Sequence, residues 1–442
     1  MVIIFQSILP SMNQRLIVTG GGAAGFFCAI NAAAFNPQLE VIIIEKTGKI
    51  LSKVKVSGGG RCNVTHACDS ISEMIKCYPR GSHFLKKAFH QFFTIDTINW
   101  FLQRGVSLKT EPDGRMFPVT NSSETIIDCL VQEAHKNKVG VFLNRDLKRI
   151  EPISSAKNQE SNEQEDTFNL VFANGEELNA NYICIATGGY PKAIQFDWIR
   201  RLGHSIEAPV PSLFSFNLSG THITELMGVS VEKVTVKIAG TKFSQEGPIL
   251  ITHWGFSGPA VLKLSSFAAV ELAALNYNYR IVVNWLPSFN ENTLLKEMGD
   301  FRIKLASQKI NNRNPFYLPQ RLWTWFLSQS GINENCRWSE LPSKQQNILV
   351  KHLCTSDFEV KGKTTFKEEF VTSGGISLAE INPDSMESKL VPNVYFAGEV
   401  MNVDGITGGY NFQHAWTSGW IAAKAIAKKS ILEAHHGTSG SQ

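Results

Sequence analysis

Gly20-Gly21-Gly22-Ala23-Ala24-Gly25 follows directly on the apolar run Arg15 to Thr19 and opens an alanine-rich stretch, Ala23 to Phe35. Strand, glycines, then helix is an order with few uses. Gly20-x-Gly22-x-x-Gly25 fits the fingerprint of a dinucleotide-binding βαβ unit. Gly20 permits the tight turn, Gly22 lets backbone approach a pyrophosphate, and Gly25 lets helix and strand pack closely. Ala23 and Ala24 begin a helix whose free N–H groups and positive dipole end face an anion. Val41 to Glu45 reads as the next buried strand of a parallel sheet, joined by a right-handed crossover. Glu45 falls about 20 residues on, where an acidic side chain accepts hydrogen bonds from a ribose. Lys46 follows it. The fingerprint itself does not separate NAD from FAD.

A second glycine-rich region lies near the other end. Asn393 to Phe396 reads as a buried strand, Gly398-Glu399 follows, and Gly408-Gly409-Tyr410-Asn411 leads into a helix from about Phe412 to Lys429. With one fingerprint only, backbone donors here suit the ribityl and ring portions of FAD better than they suit a nicotinamide dehydrogenase. The helix start would face the ring edge that becomes negative on reduction. In Ser57-Gly58-Gly59-Gly60-Arg61-Cys62-Asn63, three adjacent residues lack side chains, so a flat ring or a phosphate can lie against the backbone. This segment reads as a loop.

At 442 residues the chain is too long for one compact core. The expected fold class is α/β: a Rossmann-like nucleotide domain assembled from both ends (14–200 with 369–432), with an insertion between them. Helical patterns occupy about Ser82 to Arg104 and Ser122 to Lys136. Leu147 to Ile153, Phe168 to Ala173 and Glu177 to Ala186 read as a meander of strands, with Asn174-Gly175 as a turn. The insertion divides into a β-rich part (201–290 with 354–368) and a helical part (291–353). Residues 1–13 are expected to be a flexible extension, or to precede a true start at Met12, and 433–442 a flexible tail. Ser154 to Asp166 reads as a solvated loop.

No apolar run is long enough to span a bilayer. The eight cysteines show no CxxC or other paired spacing, which argues for a reducing cytoplasm and against a disulfide framework or metal site. Net charge is only +4. The segment Glu291 to Lys351 holds nine basic and five acidic residues, and so matches the excess of the whole chain.

The segments GGGAAG, SGGGRCNVT, ATGGYP, THWGFSGPAVLKLS, TSGGIS and AGEVMNVDGITGGYNFQHAWTSG resemble those of the BaiN/YhiN-like flavoproteins, over about residues 14 to 430. That resemblance implies a glutathione-reductase-type FAD domain with an inserted β-barrel and a small helical subdomain. It implies FAD contacts at Gly20, Gly22, Ala24, Gly25, Glu45, Lys46, Gly59, Gly60, Arg61, Cys62 and Asn63. It further implies contacts at Leu147, Ala186, Thr187, Gly188, Gly398, Glu399, Gly409, Asn411 and Phe412. Where the family usually has a glycine-rich run after ATGG, this chain has Ala193 to Asp197, which bears on substrate preference.

Three side chains are candidates for chemistry. Cys62 lies in the flavin-facing loop as a proton donor, a thiolate or a packing residue. His253 precedes Trp254 and Gly255 as a pocket acid or base, or as a structural histidine. Tyr410 stacks near the ring or caps it. The expected activity is FAD-dependent hydride transfer through flavin N5, with NAD(P)H as a transient donor and an unsaturated or imine-like small molecule as acceptor. The resemblance also admits dihydrouridine formation in ribosomal RNA, gripped by the basic segment with Phe316, Tyr317, Trp323 and Trp325. It equally leaves room for a small-amine oxidase or a low-turnover flavin scaffold. Oligomeric state is open.

Overall fold

The computed structural model describes residues 14–153, 168–364 and 371–439. The expected extension 1–13 and the loop 154–166 lie outside the described residues. The chain divides into two compact units, one built from residues up to Val210 and from Val371 onward, the other from Pro211–Phe370.

In the first unit, β1 (Arg15–Thr19), β2 (Glu40–Ile44), β3 (Gly140–Phe142), β4 (Tyr182–Ile185) and β5 (Val394–Phe396) form one parallel sheet in the order β5-β4-β1-β2-β3. Leu16, Ile17 and Val18 are wholly buried, as expected for a central strand covered on both faces. Helix α1 (Ala23–Phe35) starts at the fingerprint and is buried from Ala24 to Ala33. The C-terminal helix, Tyr410–Ser439, packs on α1. A Cβ on Gly419 would lie 2.8 Å from the Ala24 carbonyl oxygen, so glycine allows the two helices to close up. Phe27 and Trp416 meet at 5.2 Å in the same contact.

Three expectations about element boundaries need correction. The strand expected over Glu177 to Ala186 is two strands in different sheets. Glu177–Ala180 closes an antiparallel meander with Leu147–Pro152 and Phe168–Phe172, whereas β4 joins the parallel sheet. Asn181 makes the switch, accepting the Arg15 N–H on its side chain (2.7 Å) and donating its own N–H to the Arg15 carbonyl (3.0 Å). The helical stretch Ser82 to Arg104 is two helices, Ser82–Ala88 and Thr94–Leu102, the second started by Asp96 accepting the Phe93 N–H (2.7 Å). Of the tail expected over 433–442, residues 433–439 are helical, and 440–442 lie outside the described residues. Glu433 fixes it by accepting from the Tyr182 hydroxyl and from the Gln14 amide.

In the second unit six strands close a barrel: Ser215–Ser219, Gly255–Ser257, Ser244–Ile251, Ser230–Ile238, Asn278–Asn284 and Ser356–Thr364. The helices Glu291–Lys304, Gln320–Gln329 and Ser343–Cys354 follow the fifth strand in space and sequence. They share one hydrophobic core with the barrel, in which Trp285, Trp323 and Trp338 are buried. Among the described residues no helix is long and apolar enough to cross a membrane.

Candidate functional site: a cradle of three glycine turns

Each fingerprint glycine does something different. At Gly20, φ is +110°, and a Cβ would stand 2.4 Å from the Ala186 carbonyl oxygen. At Gly25 a Cβ would stand 2.0 Å from the Gly20 carbonyl oxygen. Both are therefore fixed by packing within the protein. Gly22 is the N-cap of α1, has no side-chain cap, and a Cβ there would meet nothing within 4 Å. The helix start at Gly22, Ala23 and Ala24 thus presents bare N–H groups to an open face, as an anion site requires.

Glu45 closes the turn from the side. One carboxylate oxygen accepts the Gly21 N–H (2.9 Å), and the other accepts from the backbone and hydroxyl of Thr47 (2.9 Å each). Lys46 lies over the ring of Tyr190, 5.3 Å from its centroid. A cavity opens here, lined by Thr19, Gly20, Glu45, Lys46, Leu147 and Thr187 together with Arg145, Tyr190 and Trp198. The Thr19 hydroxyl is buried and has no partner among the described residues. Ala186 backs the turn, and Gly188 (φ +74°) carries the chain past Glu399. Tyr190, Arg145 and Trp198 were not singled out from sequence. Tyr190 sits within the ATGGYP segment and was recoverable from it. Arg145 and Trp198 had no local signal.

The loop expected over Ser57–Asn63 follows a short helix: Ser52–Gly60 is helical only up to Val56 and breaks at Ser57. Gly58, Gly59 and Gly60 then run in the left-handed region, at φ +58°, +70° and +83°. A Cβ on Gly59 or Gly60 would meet nothing within 4 Å. Arg61 pairs with Glu111 (2.6 Å) and covers Phe117, 4.1 Å from ring centre. Arg115 pairs with Asp113 and Glu111.

Asn63 ties this turn to the C-terminal one. With the side-chain amide assigned from its hydrogen-bonding surroundings, its nitrogen faces the Thr65 and Met116 carbonyls and its oxygen accepts the Gly409 N–H at 2.9 Å. Gly409 itself (φ +92°) passes so close that a Cβ would lie 2.5 Å from Thr65 backbone. Gly398 (φ +73°) lies against α1, where a Cβ would meet that of Ala24 at 2.8 Å. So the glycine turns at residues 20–25, 58–60 and 398–409 come together in the first unit.

Side chains at the C-terminal turn are committed to holding it. Asn411 clasps Gly405, accepting its N–H (2.8 Å) and donating to its carbonyl (2.9 Å). Arg80 and the wholly buried Asp404 form an ion pair beneath the same loop. Glu399 accepts from Lys53 (2.5 Å) and from the Thr372 N–H (2.9 Å). Lys53 is a partner that sequence reasoning missed. Phe412 stacks on Trp416 (5.8 Å between centroids). His414 donates from Nε2 to the Gly398 carbonyl (3.1 Å); burial first of all pushes its pKa down to about 4, so it stays neutral.

The three chemical candidates fare differently. Cys62 is wholly buried, and burial pushes its thiol up to about 12 although a hydrogen bond with Ser57 pulls the other way. Burial thus favours the protonated thiol over the thiolate. Tyr410 stacks on His66 (4.7 Å between centroids), and its carbonyl accepts from the Tyr78 hydroxyl (2.7 Å). Burial raises the Tyr410 phenol well above its ordinary value, with Cys77 adding to the effect. His253 belongs to the second unit, in the exposed turn between two barrel strands, edge-on to Trp254 at 4.2 Å.

The family model described as HI0933-like protein Rossmann domain matches residues 14–425. The chain belongs to this HI0933-like family of flavin-dependent oxidoreductases. A ribosomal RNA dihydrouridine synthase of Escherichia coli K12 is 32% identical over 424 residues, covering 94% of this chain and 98% of that protein. A 3-dehydro-bile acid delta(4,6)-reductase of Clostridium scindens is 26% identical over 426 residues, covering 94% and 100%. A second ribosomal RNA dihydrouridine synthase, from Haemophilus influenzae, is 28% identical over 431 residues, covering 95% and 100%. The Rossmann domain of the family is the kind that holds FAD, and the residues present fit such a group. Gly22, Gly59 and Gly60 offer open backbone, and Thr19 offers a buried hydroxyl awaiting a partner.

Proposed function

We propose that this protein is a reductase that uses FAD, recharged by NAD(P)H, to saturate a carbon–carbon double bond conjugated with a carbonyl. The observation that supports this best is the meeting of three glycine turns, two with open backbone, locked by the Asn63–Gly409 hydrogen bond. Gly22 and the α1 start would take the pyrophosphate, Glu45 and Lys46 the adenosine side with Leu147, and Gly59, Gly60 and the start of the C-terminal helix the ring. Bound there, FAD supplies hydride transfer at N5. The protein's part is to keep that backbone bare, to hold Tyr410 and Cys62 protonated, and to brace the Gly405–Gly409 turn through Asn411 and Asp404. The relatives' names support the acceptor class, because uridine-to-dihydrouridine conversion and a delta(4,6)-reduction both saturate such double bonds.

The test is an anaerobic titration of the purified protein with NADH or NADPH, followed by a simple enone. Bleaching of the flavin absorbance by nicotinamide and its return on adding the enone are expected. A colourless protein that stays empty when offered FAD would end the reading. Peroxide formation with small amines, or no turnover at all, would replace it with the oxidase or the scaffold.

A second reading makes the acceptor a uridine in ribosomal RNA. It draws on the near full-length similarity to the Escherichia coli dihydrouridine synthase. Dihydrouridine content of ribosomal RNA, compared in cells with and without this protein, tests it: no difference would remove it.

A further inference from the structure

The helical part of the second unit divides the features that had suggested an RNA grip. Trp323 is wholly buried and donates its indole N–H to the Ile310 carbonyl (2.9 Å), and Phe316 packs beside it. These rings are core. Tyr317 is not: it is 95% exposed, the most exposed large hydrophobic side chain among the described residues. It stands at φ +56° in a turn held by Asn314, which accepts the Phe316 N–H (3.0 Å) and donates to the Leu318 carbonyl (2.8 Å). An aromatic residue in the left-handed region is an uncommon and mildly costly arrangement.

The cations nearby are equally unusual. Among the described residues, none of the nine basic side chains between Glu291 and Lys351 forms an ion pair. In the first unit, by contrast, pairs such as Arg104–Glu133 and Arg15–Glu40 are frequent. Of the acids in the helical part, Glu291 accepts from Thr355 (2.7 Å), whereas Glu340 lies beside Arg337 and accepts its backbone N–H (3.3 Å). Meanwhile the backbone gathers cations. Lys309 and Arg337 are partners in an antiparallel bridge, and Trp338, the residue after Arg337, donates its indole N–H to the Arg313 carbonyl (3.2 Å). Lys309, Arg313 and Arg337 are all exposed. Lys309 donates from Nζ to the Asn335 side chain (2.7 Å) and Glu340 offsets part of the charge, but three cations against one carboxylate still leave a net positive patch that a polyanion would neutralise.

We infer that Lys309, Arg313 and Arg337 hold the phosphates of a single-stranded RNA segment while Tyr317 stacks on one of its bases. The inference rests on the second reading above, in which the substrate is ribosomal RNA. Tyr317 borders a cleft that also includes Phe289, Phe316, Glu232, Glu297 and one cation, Lys233, which is paired with Glu246 (3.2 Å). Glu232 and Glu297 repel phosphate, so the RNA backbone belongs with the three cations and only a base enters at the tyrosine. Positive grooves beside a free aromatic face are the common construction for single strands.

The experiment is fluorescence anisotropy of the full-length, FAD-loaded protein with a labelled single-stranded ribosomal RNA oligonucleotide, over a salt series from about 50 to about 200 mM. Wild-type affinity should fall with salt. Combined K309A/R313A/R337A should lower the magnitude of the log–log salt slope by about 2, as expected for three lost single-strand phosphate contacts. Y317A should weaken binding at least about fivefold and leave that slope unchanged. Salt-independent or absent binding by wild type overturns the inference, as does a triple variant with the wild-type slope. Retention of the protein by RNA-free ribosomal proteins but not by naked RNA overturns it too. Flavin content and bleaching by NAD(P)H, measured on the same samples, separate the two proposals. A yellow, reducible protein that ignores RNA sinks the grip and spares the flavin chemistry.

Discussion

At Gly20 and Gly25 an added Cβ would strike backbone at 2.4 and 2.0 Å, whereas at Gly59 and Gly60 it would strike nothing within 4 Å. Yet Gly59 and Gly60 hold positive φ angles of +70° and +83° and lie in the same unit. The first turn needs glycine because protein occupies the space. At Gly59 and Gly60 the second turn takes a left-handed path open to glycine but unfavourable for other residues, with no packing to require it, and leaves its backbone bare. Backbone left bare with open space beside it is what a ligand-facing surface looks like, and Gly22 shows the same open space inside the first turn. The comparison therefore separates glycines that serve the fold from glycines that serve a bound group.

The sharpest way to break that separation is Gly25→Ala. The methyl would overlap the Gly20 carbonyl, and α1 would have to move off β1. A loss of about 3 kcal/mol is expected, read as a large drop in the thermal midpoint or as insoluble protein. A stable, well-folded G25A would mean that the helix–strand contact is soft and that the distinction is wrong. Gly59→Ala comes next. Only the left-handed backbone opposes it, at about 1–2 kcal/mol. Its melting should shift modestly, while the ratio of FAD to purified protein falls disproportionately. Parallel losses of stability and flavin would place Gly59 with the structural group.

Much of this site was legible because its signals are local. The run from Arg15 to Gly25, Glu45 at its distance, and the strand before Gly398 are each spelled within a few residues. The segment Ser57–Asn63 was legible as glycine-rich, but not as the end of a helix, since Ser52–Val56 has no apolar period to announce one. What escaped depends on partners far apart in the chain. The Arg80–Asp404 pair, Lys53 on Glu399, and Glu433 on Tyr182 join residues hundreds of positions apart. Likewise nothing local told Trp323, a core residue, from Tyr317, a free one, six positions before it.

Gly22→Ala tests the open half of the first turn with less disturbance than either substitution above. Gly22 has φ −94°, which alanine accepts, and empty space where the methyl would go. Replacing glycine by alanine at an N-cap costs up to about 1 kcal/mol. Stability should barely change, whereas FAD dissociation should quicken by about tenfold or more, since the methyl would sit where a pyrophosphate approaches. Unaltered flavin release in G22A would show that the open face of α1 is not the anion site.

Cys62→Ser gives the smallest expected effect and settles how the second turn is used. Cys62 sits at φ +59° directly after the three glycines, wholly buried, with its thiol pushed up to about 12 by burial. A thiol that keeps its proton below that value has no titration between pH 6 and 10 to impose on the rate. The pH profile of turnover should therefore show no inflection that disappears in C62S, and alkylating agents should leave the native protein unmodified at this position. Rates should agree within about twofold. A residue acting as general acid or base would be worth about a hundredfold or more, so the two possibilities lie far apart. A hundredfold loss in C62S, with folding and flavin content intact, would turn a packing thiol into a proton donor. The open glycines beside it would then be part of a catalytic loop as well as a place for the ring to rest.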